Sequence, residues 1–414
     1  MTMIFIIFSS LMIIYQYKRE KNIINLISIL MAPYVIIVLF NNFLFCKMGF
    51  YKIEDEPLFM ILSAFIVFFV GSWVAAKTTK RTVVSEKNTE FQLVKYNLKK
   101  IKRFLWIIAI ASFVKIIYGL RIGEIFNEGY MGGGILGHLL LLSYSLVPIV
   151  FLYWTYNKKK VSCLILVLFY LIISFSSFIK YNVISLVVII FLYLTMARKS
   201  LVKKAVILLV SFVMILFVLN YAIGFYAQQV RNVPSTFYLN HFWTYCAGAL
   251  INANTRFVGT IGKDISVIHK LMIYFFALPN MFLNKLGMQL FPWDGALDFT
   301  NYQISITGNY SNVVDAVTRL YPNNRDLLEV LIFYVVVFGV GFFFMRLYSR
   351  WKRKELSPSL PIFLTYFVFL SFFGTFYMLP GPWETLVWSL FIPKLFENKK
   401  RVDFKYKRLY GRRI

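Results

Sequence analysis

Acidic residues are scarce in this chain: 18 Asp and Glu stand against 45 Lys and Arg, in a sequence where only 15% of residues are charged. Histidine and cysteine are scarcer still, at three each. Cys46, Cys163 and Cys246 are too far apart for metal-ligand spacing, and they are too few for a disulfide framework. No GxxxxGK[ST] phosphate loop occurs, which argues against an ATP-driven pump. Internal repeats, low-complexity tracts and Pro/Ser-rich linkers are also missing. In a soluble chain, a formal charge of +27 would point to nucleic acid. The placement of the cations excludes that reading.

What the chain has in abundance is apolar length. Hydrophobic residues make up 59% of it and aromatics 19%. Apolar stretches recur at 3–16, 23–45, 57–76, 104–119, 135–155, 161–179, 182–197, 205–224, 329–347, 360–379 and 383–396. A spanning helix needs ~20 such residues. Alternate connections are strongly basic: 18–21, 77–103, 158–160, 198–204, 346–355 and the tail from Lys394 hold 33 cations against six acids. The intervening connections hold 11 cations and 12 acids. Lys and Arg concentrate in cytoplasmic loops, so the charge is topology, with attraction to anionic lipid added. The expected architecture is an all-α polytopic integral membrane protein with about 11 transmembrane helices and a cytoplasmic C-terminus. It divides into N-terminal helices (1–224), one large extracytoplasmic loop (225–328) containing re-entrant or interfacial helices, and C-terminal helices with a basic tail (329–414).

The same parity settles three ambiguous stretches. Residues 161–197 are basic on both flanks and are expected to form a tight hairpin turning at Lys180. Residues 271–291 are long enough to span, but a crossing there would put the basic loop 346–354 outside. They are therefore expected to be re-entrant or interfacial, interrupted by Pro279 and Lys285. The first stretch lacks a basic n-region and a cleavage site, so it is not expected to be a removable signal.

Segment 225–328 carries the candidate chemistry. Arg231, Arg256, Arg319 and Arg325 lie on it, and a guanidinium forks onto phosphate or carboxylate oxygens. Asp315 sits four residues before Arg319, so the two would share a helix face, where Asp315 is either a partner or a general base. His241 would titrate near neutral pH, yet beside Phe242 and Trp243 it also reads as an interfacial anchor. Tyr310 and Tyr321 belong to an aromatic set that either stacks on sugar rings or forms the interfacial belt. No DxD pair or His/Cys cluster appears, so neither a metal nor a cofactor is expected. Lys115 and His138 are the ionisable groups near outer helix ends.

Tyr245-Cys-Ala-Gly-Ala-Leu250 and Gly308-Asn-Tyr-Ser-Asn-Val-Val314 are followed by an apolar helix with Gly339 and Gly341. In these segments and in its layout, the chain resembles the bacterial O-antigen and capsule repeat-unit polymerases, the Wzy family. The likeness covers roughly 220–345. Related ligases carry His immediately before the Asn, where this chain has Ser311, and that departure leaves the general base open. The resemblance implies a glycosyltransferase of the bacterial cytoplasmic membrane. It would move a glycan from undecaprenyl diphosphate to a second lipid-linked oligosaccharide repeat unit, with a flippase and a chain-length regulator as partners. It also implies Arg231, together with Arg256 or Arg319, on the diphosphate, and Asn312, Tyr310 and Tyr321 on sugar. The other function class compatible with cations near phosphate is a flippase or exporter of lipid-linked oligosaccharide. Transporters of that kind show internal repeats and charged spans.

Overall fold

The structure, a computed structural model, describes residues 1–78, 96–124, 130–156, 160–176, 180–197, 235–257, 265–288, 290–291, 302–322, 326–353 and 357–397, with isolated positions between 211 and 222. In chain order its elements are α1 (Thr2–Glu20), α2 (Leu26–Phe43), α3 (Asp55–Lys77), α4 (Leu98–Ile122), α5 (Gly134–Ser143), α6 (Val147–Tyr156), α7 (Val161–Ser176) and α8 (Lys180–Ala197). There follow α9 (Ser235–Phe257), α10 (Val267–Leu283), β1 (Tyr302–Gln303), β2 (Tyr310–Ser311), α11 (Ala316–Leu320), α12 (Leu327–Arg353), α13 (Ser359–Phe367) and α14 (Pro380–Leu395).

Six helical stretches among the described residues are long and apolar enough to cross a membrane: Leu26–Phe43, Asp55–Lys77, Leu98–Ile122, Gly134–Tyr156, Val267–Leu286 and Leu327–Lys352. The chain is an all-α membrane protein. Val161–Ser176, Asn182–Ala197 and Ser359–Phe372 are shorter apolar helices, and the stretch expected at 205–224 lies outside the described residues but for isolated positions. The hairpin expected at 161–197 has its two arms, α7 and α8, packed together, while the side chain of Lys180 is not described.

Two stretches depart from the sequence reading. Residues 360–379 are not one helix. α13 ends at Phe367, and two 3₁₀ turns, Phe369–Phe372 and Phe376–Met378, carry the chain on to Pro380. Nine helical residues rise ~13 Å, well short of the ~30 Å apolar layer. In the other case, the interruption expected at Pro279 is absent. α10 runs through that proline to Leu283. Only beyond it does the chain fold back: Asn280 Nδ2 donates to the Phe291 carbonyl, and the Leu290 N–H donates to Asn280 Oδ1.

The chain forms two compact units. The first comprises residues 1–81, 230–350 and 366–383, and the second 82–229, 351–365 and 384–414. In the second, α4, α6, α7 and α8 pack on one another. Tyr170 donates to the Leu105 carbonyl (3.0 Å), and Tyr144 and Ser174 share a hydrogen bond of 2.9 Å. α5 and α6 are separated by a turn at 144–146, next to Pro148, which has no N–H to extend a helix backwards.

In the first unit, α1 lies along α2 and α3. Asn25 caps α2 by accepting the Ser28 N–H. Tyr34 and Phe65 meet edge to face, 5.0 Å between centroids, and both are fully buried. α3 and α12 cross at glycines. A Cβ on Gly71 would strike the Phe338 carbonyl, and one on Gly341 would strike the Phe68 carbonyl. Ser72 Oγ donates to the Gly341 carbonyl across the same crossing (3.0 Å). Small residues let apolar helices approach this closely. Gly341→Leu is expected to cost ~3 kcal/mol or more by overpacking. Gly339→Ala, with open space around it, should leave stability unchanged or slightly raised. Thermal unfolding of the detergent-purified variants by tryptophan fluorescence checks both, and a wild-type melting point for Gly341→Leu contradicts the packing argument.

Candidate functional site

The site is built in the first unit, where the chain between α10 and α12 leaves regular structure. β1 and β2 form a short antiparallel hairpin, Tyr302 opposite Ser311 and Gln303 opposite Tyr310. Its loop lies against the turn after α2: Tyr51 N–H donates to the Ile304 carbonyl (2.9 Å), and Ile306 N–H to the Gly49 carbonyl (2.8 Å). From there residues 312–315 descend beside α2. By Asp315 they have reached Tyr34, at the middle of the 18-residue helix. That is a descent of ~13 Å on the helical rise. Residues 312–315 thus run beside the middle of α2, while most of 271–291 lies on the apolar helix Val267–Leu286.

Irregular backbone among apolar helices needs protein partners for its polar groups, and the sequence supplies them one by one. Asn252, fully buried on α9, uses both amide hydrogens: Nδ2 donates to the Ser311 (2.9 Å) and Val313 (2.8 Å) carbonyls. Gly248, one turn earlier, leaves the room Ser311 needs. The Tyr34 hydroxyl lies 3.0 Å from the Ser371 carbonyl and 3.3 Å from Asp315 Oδ1, and donates to both. It therefore ties segment 312–315 to the broken stretch after α13.

Asp315 is the N-cap of α11. Its Oδ1 accepts the backbone N–H groups of Val317 (3.0 Å) and Thr318 (3.1 Å). The residue is wholly buried, and Oδ2 has no hydrogen-bond partner among the described residues. Burial pushes the carboxyl above its usual range, against the pull of hydrogen bonds from Thr318, Val317 and Tyr34. Asp315 and Arg319 therefore do not relate as two residues on one helix face. The first stands outside the helix as its cap, and the second sits in its last turn, 7% exposed.

At the other end of α11, Lys270 Nζ donates to the carbonyl of Tyr321, the C-cap residue, at 2.8 Å. Lys270 is 4% exposed on the first turn of α10. That turn is capped by Ser266 and held by Glu329, whose Oε2 accepts the Val267 N–H (2.8 Å). Tyr321 is half-buried, edge-on to Phe333 at 5.1 Å. A carboxyl, a guanidinium, an ammonium and a phenol thus lie on or against one five-residue helix.

Of the residues singled out from sequence, this arrangement joins Asp315, Arg319 and Tyr321. Asn312 and Tyr310 are exposed on the hairpin side of the segment. His241 stacks on Phe237 (4.9 Å between centroids) and meets Tyr245 edge-on, in an aromatic row along α9. Arg256 is near the C-terminal end of α9, its side chain not described, and Arg231 and Arg325 lie outside the described residues. Tyr34, Asn252, Lys270 and Ser371 were not legible as site residues. Lys270 alone left a signal, as a cation inside an apolar run. Among the described residues no group of three or more His, Cys, Asp or Glu could hold a metal ion.

The second unit has a polar cluster of its own. His138 Nδ1 lies 2.9 Å from both oxygens of Glu384, which also accepts the Trp388 indole N–H (2.9 Å). No family model, curated protein or solved structure matches this chain.

Proposed function

We propose that this chain is a repeat-unit polymerase of the bacterial cytoplasmic membrane. It would transfer the glycan of one undecaprenyl-diphosphate-linked oligosaccharide to a sugar hydroxyl of another, in O-antigen or capsular polysaccharide synthesis. The observation that supports this best is the buried, proton-affine carboxyl of Asp315 capping the short helix whose last turn carries the buried Arg319, among apolar helices.

In this reading the acceptor hydroxyl oxygen attacks the anomeric carbon of the donor sugar. The bond from that carbon to the diphosphate oxygen breaks, and its electron pair leaves with the lipid diphosphate. The hydroxyl proton passes to Asp315, as general-base transfer requires. Charge grows on the departing diphosphate, where the two-pronged guanidinium of Arg319 stabilises it. Arg231, Arg256 and Arg325 are further candidates for the same anion, with Asn312, Tyr310, Tyr321 and His241 for sugar. The carrier is itself the leaving group, so no nucleotide is consumed.

Lipid-linked glycan from a strain lacking the gene tests this. The expected result is a single repeat unit on its carrier, reachable by a glycosidase added to spheroplasts. Accumulation only inside the membrane would instead identify a flippase and overturn the polymerase reading.

A further inference from the structure

We infer that Lys270 is a positioning residue for Arg319, acting through the carbonyl of Tyr321. The inference rests on the functional reading above and gives a role to a residue that the sequence motifs pass over.

α11 has five residues. A helix that short does not persist by itself, because nucleation costs more than one turn of hydrogen bonds returns. It exists here because both ends are held. At the N-terminus Asp315 accepts two backbone N–H groups, and at the C-terminus the Lys270 ammonium meets the Tyr321 carbonyl. The signs match the helix dipole, with an acid at the positive end and a cation at the negative end. Arg319 lies between the two clamps, so they set where its guanidinium is presented.

Lys270 is well placed to act as a fixed point. Its turn of α10 is tied through the Val267 N–H to Glu329 in the first turn of α12, the helix that follows α11. The carbonyl alone does not explain a lysine. A buried ammonium is costly to desolvate, and a glutamine amide could donate to the same oxygen. What the ammonium adds is full positive charge at the C-terminal end of the helix that carries Arg319.

The test uses full-length protein in lipid nanodiscs, with Lys270→Met, which loses donor and charge, and Lys270→Gln, which keeps a donor. Hydrogen exchange of the 315–321 backbone is read by mass spectrometry, and kcat and KM are measured with lipid-linked repeat unit. Lys270→Met is expected to exchange about 3- to 30-fold faster across 315–321, the range of a helix-end charge. Its kcat should fall about tenfold with KM nearly unchanged, since a displaced Arg319 weakens transition-state contacts more than binding. Lys270→Gln should fall between it and the wild type in both readouts. Wild-type exchange in Lys270→Met overturns the inference. So does a rise in KM without faster exchange, which would place the ammonium on substrate. If the wild-type protein makes no polymer, the functional reading fails, and exchange alone then decides whether Lys270 holds α11.

Discussion

Arg319→Lys, at matched protein level, is expected to make polymer about 10²–10³-fold more slowly than wild type, the usual cost of losing one donor aimed at developing charge. Lysine keeps the charge and most of the length, but it replaces a planar fork with a single ammonium. Because Arg319 is buried, its complete removal would expose the neighbourhood to a packing loss as well. Lysine is therefore the informative substitution and Arg319→Ala the reference. Polymer yield and chain length from purified protein, read beside the melting temperature of each variant, separate chemistry from folding. Near-normal polymer from a well-folded Arg319→Lys protein would remove Arg319 from the diphosphate.

Asp315 calls for a different pair of substitutions, since it has a structural task and a proposed chemical one. Asn caps helices about as well as Asp, whereas Ala costs about 0.5–2 kcal/mol. Asp315→Asn should thus fold normally, and Asp315→Ala should be measurably less stable. Both should lose the proton acceptor and with it about 10²–10⁴-fold in turnover.

The pH dependence follows from the raised carboxyl affinity. A carboxyl that binds its proton more tightly when folded contributes stability that is fully present below its unfolded value, ~3.9. That stability is lost as pH rises through the higher folded value. Wild type should therefore lose melting temperature on going from acid to neutral pH, and Asp315→Asn should lose less. Turnover should run the other way, rising with pH as the base is freed. The groups around the carboxyl that shape this limb are Thr318, Val317 and Tyr34. Full activity in Asp315→Asn would leave Asp315 as a cap alone.

The long helices were legible because length and apolarity decide them with little help from distant contacts. The stretches at 23–45, 57–76 and 329–347 correspond to α2, α3 and α12, whose ends shift by a few residues with local capping. The break after Phe367 was not legible. Hydropathy does not register a turn between phenylalanines, and the Ser371 carbonyl there is met by a tyrosine 337 positions earlier.

Around the candidate site the same division holds. An Asp followed by Ala-Val-Thr is a helix-start pattern, so the cap could be read locally. The spacing to Arg319 instead suggested a pair on one face. Asn252 and Tyr34 act 59 and 281 positions away from the residues they hold, and nothing in their own neighbourhoods distinguishes them. Lys270 stands at the edge of the apolar stretch 271–291, where a lysine is as easily a flanking charge as a buried one.

The bond between Tyr34 and Ser371 also bears on how the protein is born. Ribosomes deliver α2 first and residue 371 last of the three, so Asp315 emerges long after its tyrosine and well before the carbonyl that shares that hydroxyl. Until Ser371 has left the ribosome, the nascent protein holds this acid without the carbonyl that shares its tyrosine. A chain stalled before Ser371 would insert its early helices yet leave this junction open to quality-control proteases. Closure of the junction around Asp315 thereby waits on a segment far along the chain from the helix that carries Tyr34.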